Sequence, residues 1–131
     1  MTMYPAPDVR RPRFSVSVKA EVPLTTGGIV RIPARGYRWN VLSLIVQSLT
    51  SFADASQITT TYQLFAGDDR PTDLLATINA PGFATLTTDP NRPVLIEPYD
   101  ELVVKLTFEN LPEGNITQAT VQVRVQLEEL R

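Results

Sequence analysis

Two stretches near opposite ends of the chain alternate apolar and polar residues without a break. Residues 14–22 read Phe-Ser-Val-Ser-Val-Lys-Ala-Glu-Val, and residues 119–127 read Ala-Thr-Val-Gln-Val-Arg-Val-Gln-Leu. A period of two puts Phe14, Val16, Val18, Ala20 and Val22 on one face of a strand, with Ser15, Ser17, Lys19 and Glu21 on the other. One face packs and one is wetted, as in an antiparallel sheet laid on a single core.

The same reading extends along the chain. Pro5, Pro7 and Pro12 exclude a regular helix in residues 1–13 and favour an extended N-terminal arm. Residues 14–131 then form one domain. Strands are expected at 14–22, 29–32, 37–48, 58–66, 74–79, 83–87, 94–96, 101–108 and 119–127. They are separated by turn residues such as Thr25-Thr-Gly-Gly28, Ala34-Arg-Gly36, Pro81-Gly82 and Glu97-Pro-Tyr-Asp100. Residues 49–57 read as a loop, or at most one helical turn begun at Ser51. Residues 41–46 are apolar on both faces apart from Ser43, which places that strand in the middle of a sheet. About eight or nine short strands with no helix make an all-β, two-sheet antiparallel sandwich, with a jelly roll preferred over an immunoglobulin-like layout.

Composition narrows the chemistry. A chain of 131 residues buries enough surface to fold without staples. It contains no cysteine and no histidine. Thiol nucleophiles and Ser–His pairs are therefore excluded, and a zinc site would have to be built from carboxylates alone. No run of about 18 apolar residues suggests a membrane-spanning helix. The start, Met1-Thr-Met-Tyr-Pro-Ala-Pro7, lacks the charged and apolar regions of a signal peptide. Without cysteine there is no disulfide framework, which fits cytoplasmic synthesis.

The net charge of −2 hides an asymmetry. Residues 1–38 carry seven basic groups against two acidic ones, a balance of +5, whereas residues 39–131 carry five against twelve, a balance of −7. Such polarity suits assembly in which one surface's basic edge meets another's acidic patch. Arg10-Arg-Pro-Arg13 is too short, and too poor in neighbouring aromatics, to indicate nucleic-acid binding.

Candidate sites are few. Asp68, Asp69 and Asp73, in Gly67-Asp-Asp-Arg-Pro-Thr-Asp73, could hold calcium. Their spacing does not match an EF-hand, Arg70 interrupts them, and hairpin turns use Gly and Asp for backbone reasons alone. Glu97, Asp100, Glu101 and Glu109 could be imagined as a glycosidase pair, but a strand-opening turn explains them without catalysis. Tyr37 and Trp39 lie on one face of a strand and could stack on sugar rings, although a single tryptophan at a strand start is more often core. The glycines at 27–28 and 36 precede no helix, so they form turns rather than phosphate cradles. No enzyme activity, cofactor or metal is expected.

One resemblance emerges from the motifs. Val30-Arg-Ile-Pro-Ala-Arg-Gly-Tyr-Arg-Trp-Asn-Val-Leu-Ser-Leu44 looks like the opening of small β-sandwich virion structural proteins of tailed bacteriophages. The likeness continues through the threonine-rich 58–62, the strand and Gly-Asp turn at 64–69, and Ile96-Glu-Pro-Tyr-Asp-Glu-Leu-Val-Val104. It spans about residues 29–108, departing at Arg35 and at Tyr99, where the pattern has glycine. The resemblance implies a capsid decoration (cement) protein, bound to a major capsid or other virion protein. It also implies a homo-oligomer, with a trimer favoured, located in the virion after assembly in the host cytoplasm. In that role Arg10, Arg11 and Arg13 would contact an acidic capsid surface, with Tyr4 as an apolar anchor. The alternative is a carbohydrate- or receptor-binding module that uses Tyr37 and Trp39.

Overall fold

The computed structural model describes residues 12–50, 57–68, 70–83, 85–89, 91–111 and 117–130. Nine strands follow one another: β1 (Arg13–Pro23), β2 (Gly28–Pro33), β3 (Arg38–Ser48), β4 (Thr59–Ala66), β5 (Leu74–Pro81), β6 (Thr85–Thr87), β7 (Val94–Ile96), β8 (Glu101–Glu109) and β9 (Gln118–Leu130). A 3-10 turn at Pro71–Asp73 leads into β5. The helical turn considered at Ser51 lies outside the described residues.

The strands form two antiparallel sheets. One has the order β1-β9-β3-β6 with β7 also on β3, and the other has the order β2-β8-β4-β5. The chain crosses between the sheets at nearly every step, and its first and last strands lie side by side. That wrapping is the jelly roll, in which strands distant in sequence become neighbours. The β1–β9 ladder runs without interruption from Arg13↔Glu128 to Pro23↔Gln118.

The alternation read from the sequence sets the inner faces. Val121, Val123, Val125 and Leu127 of β9 face Leu102, Val104 and Leu106 of β8 and Tyr62 and Leu64 of β4 in one buried cluster. Thr60 is the polar side chain buried among them. Its hydroxyl donates to the Gly82 carbonyl at 2.9 Å, which meets the cost of burying it. In β3 the inward parity changes from Trp39 and Val41 to Leu44 and Val46, because the ladder with β9 slips between Val41 and Ser43. The slip leaves Leu42 as a bulge. The Thr88 hydroxyl lies 2.6 Å from the Val41 carbonyl and 2.9 Å from that of Leu42, and Thr88 N–H donates to the latter. The edge partner of β3 is interrupted at the same level: β7 pairs with Trp39–Val41 and β6 with Ser43–Ile45.

Candidate functional site

Three places bear on function: the start of β1, the aromatic end of the sandwich and the acidic turn after β4. Tyr4, Arg10 and Arg11 lie outside the described residues. Arg13 opens β1, with its guanidinium largely exposed and 3.6 Å from the carboxylate of Glu128, its cross-strand neighbour on β9. The Pro12 carbonyl accepts from Glu129 N–H at 2.9 Å, so the pairing with β9 extends to Pro12.

At this end of the molecule β1 begins, β2 ends, β3 begins and β9 ends. Trp39 is buried there, and its Nε1–H donates to the Ala34 carbonyl at 2.8 Å. The bond fixes the indole as a plug beneath the Ala34–Gly36 turn. Phe14 and Tyr37 stand edge-on to it, with ring centroids 5.3 and 5.8 Å away, an arrangement that aromatic quadrupoles favour. Both flanking rings remain half exposed, and with Ile32, Pro33 and Leu127 they line an open groove of about 420 Å³. Of the two residues proposed for sugar stacking, Tyr37 thus presents a ring to solvent, while Trp39 occupies the core position. Phe14 is the wall that sequence reading missed. Its place in an alternating strand marks it as inward-facing, and only the edge position of β1 leaves it half uncovered. Trp39→Phe is expected to cost about 1–3 kcal/mol through the lost ring area and the lost indole bond to the Ala34 carbonyl, which keeps only the 3.4 Å contact from Tyr37 N–H, checked by urea unfolding.

The acidic turn is held by arginines. Asp68 lies 3.2 Å from Arg31 and 3.5 Å from Arg70, and Arg31 also reaches Glu101 at 3.7 Å. Asp69 lies outside the described residues, and Asp73 closes the 3-10 turn. Among the described residues no three acidic side chains converge as a metal-ligating group. Glu97 pairs with Arg38 at 3.3 Å. Carboxylates paired in this way bind strands and turns together across the surface. The role of Arg31 was not legible in the sequence, because its partners are 37 and 70 residues away.

No family model and no curated protein matches the chain. Among solved structures it is similar to a chain of Bacillus endospore appendages, described as disulfide-linked pili, at 10% identity and TM-score 0.40, with all of both chains covered. It is similar to PliG of Aeromonas hydrophila, a periplasmic inhibitor of g-type lysozyme, at 7% identity and TM-score 0.40, over 97% of this chain and 93% of that one. It is also similar to a chain from the capsid of Helicobacter pylori bacteriophage KHP30, at 14% identity and TM-score 0.39, over 92% and 93%. These likenesses are distant, and the jelly-roll assignment stands on strand order alone.

Proposed function

We propose that this chain is a non-enzymatic structural component of a phage virion, most specifically a decoration protein that binds the outer surface of the head and stabilises the shell. The observation that carries the reading is the anchored start of β1, to which the expected arm would be joined. The chain enters a jelly-roll sandwich at Pro12 and Arg13, where the ladder to β9 anchors it firmly. The residues before that point are rich in proline and arginine. An arm of this kind gains binding energy only when a partner covers it, which offsets the entropy lost on ordering. Asp68, Glu97 and Glu101 are matched with arginines, an arrangement suited to holding a surface together. Self-association into a closed oligomer belongs to the same reading.

The test is co-sedimentation with purified capsid shells of the phage that encodes the protein. Deleting residues 2–11 is expected to lower occupancy by about tenfold or more at physiological salt, with Arg10→Glu plus Arg11→Glu giving a similar loss. Unchanged binding of the deletion variant would remove the arm from the account, and a full-length chain that ignores shells would remove the decoration role. A second reading, glycan binding, is favoured by the half-exposed Tyr37 ring beside Phe14 and Trp39. The one tryptophan of the chain makes it testable, because a bound sugar would perturb Trp39 emission in a saturable way.

A further inference from the structure

We infer that β1 is a self-recognition edge, through which two copies of the chain join their five-stranded sheets into one continuous antiparallel sheet. The inference is independent of what the protein attaches to.

Among the described residues each sheet has two open edges, and β1 is the longest strand at any of them. An exposed strand edge offers unpaired N–H and C=O groups to any other strand, so proteins shorten, bulge or charge their edges. β6 and β7 are three residues each. β5 meets β4 across a register shift at Leu64/Phe65 and ends in Pro81. β2 is six residues long, ends in Pro33 and carries Arg31. β1 also ends in proline and carries Arg13, Lys19 and Glu21, but it runs for eleven residues with no register shift against β9, and its charges are of mixed sign. Its inward row is also under-covered: Phe14 is 50% exposed, and Val16, Val18 and Ala20 are only partly buried.

The sequence of β1 identifies the occupant as a second β1. Antiparallel partners that stand opposite each other share a face, so a two-fold pairing is centred on a residue. Centred on Val16, it would set Arg13 against the partner's Lys19, and centred on Lys19 it would oppose two lysines. Like charges directly opposite are unfavourable. Centres at Val18 or Ala20 draw Pro23, which has no N–H to give, into the ladder. Centred on Ser17, the strand is self-complementary. Arg13 faces the partner's Glu21 twice, Ser15 faces the partner's Lys19, and Ser17 meets the partner's Ser17. On the inner face Phe14 meets the partner's Ala20, and Val16 the partner's Val18. The Arg13 guanidinium, 71% exposed, can reach that carboxylate from its place beside Glu128. This ladder covers residues 13–21 and leaves the corner at 22–28 unused. The contact is two-fold, so it predicts a dimer where the resemblance led to a trimer.

The experiment is light scattering on the full chain from micromolar to submillimolar concentration. The expected result is a species of twice the 14.5 kDa chain mass. Ser17→Glu places two carboxylates against each other on the axis, yet within one chain it faces Arg124 across the ladder, so the fold is retained. It should weaken dimerisation by about tenfold or more. Glu21→Arg should weaken it about fivefold, and adding Arg13→Glu should restore it, because the register pairs those two positions. A monomer at every concentration, a three-fold mass, or a dimer indifferent to Ser17→Glu would overturn the inference. A trimer that still binds shells would leave the decoration reading intact, and a dimer that ignores shells would do the reverse.

Discussion

Replacing Tyr62 with alanine is expected to lower the unfolding free energy by about 3–5 kcal/mol, measured by urea titration. Tyr62 heads the fully buried side chains in size and sits on β4, between β8 and β5, opposite Leu106 and Ile78. Its ring fills the space between the sheets, so truncation removes apolar contact and leaves a cavity that two hydrogen-bonded sheets cannot collapse to fill. Tyr62→Phe separates ring from hydroxyl. The hydroxyl is 3.5 Å from the Gly82 carbonyl, a long contact, and that carbonyl already accepts from Thr60 at 2.9 Å. The phenylalanine variant should therefore lose less than about 1.5 kcal/mol. If Tyr62→Ala costs under about 1 kcal/mol, the two sheets do not pack as described.

The second large effect is expected at the corner where β1 passes to β2. Gly27 has φ +75° and donates its N–H to the Pro23 carbonyl at 2.8 Å. A Cβ there would run into the Leu106 carbonyl oxygen, which is backbone in the middle of β8 and has little room to shift. Gly27→Ala combines left-handed strain with a clash against a ladder, and should cost more than about 3 kcal/mol. Gly36 is the control, because it has φ +88° but open space, with nothing within 4 Å of where a Cβ would stand. Gly36→Ala should cost only about 1 kcal/mol, the strain alone. Thermal unfolding of both variants checks the difference, and equal losses would show that strain rather than the approach to β8 dominates at Gly27.

These two sites differ in how far the sequence reveals them. Tyr62 falls on the inward parity of an alternating strand, so its burial is readable, although its position as the largest plug depends on what lies opposite. Gly27 is readable as a turn residue, while the oxygen that forbids a side chain belongs to a strand about eighty residues later. The candidate site divides in the same way. Trp39 as a core plug and the proline-bearing start before β1 follow from local pattern. The exposure of Phe14 and the pairing of Arg31 with Asp68 and Glu101 do not, because each depends on which strand lies at an edge or next door.

Strand existence and facing were determined by the chain itself. The expected stretch at 94–96 is β7 as found, 14–22 becomes Arg13–Pro23, and 101–108 becomes Glu101–Glu109. The reason is that alternation at period two is local: each residue's face follows from its neighbours, and Gly and Pro end the run wherever they stand. Position 37 stays outside β3, and the stretch at 83–87 shortens to Thr85–Thr87. The partnership of strands was decided only by the tertiary structure. β1 lies beside β9, Ser17 within reach of Gln122 at 2.8 Å across 105 residues, and the slip at Leu42 coincides with the break between β6 and β7. Ladder hydrogen bonds are the same for every sequence, so they carry no address. Which apolar face meets which is settled when the whole core closes, and with it which edge is left open to a partner.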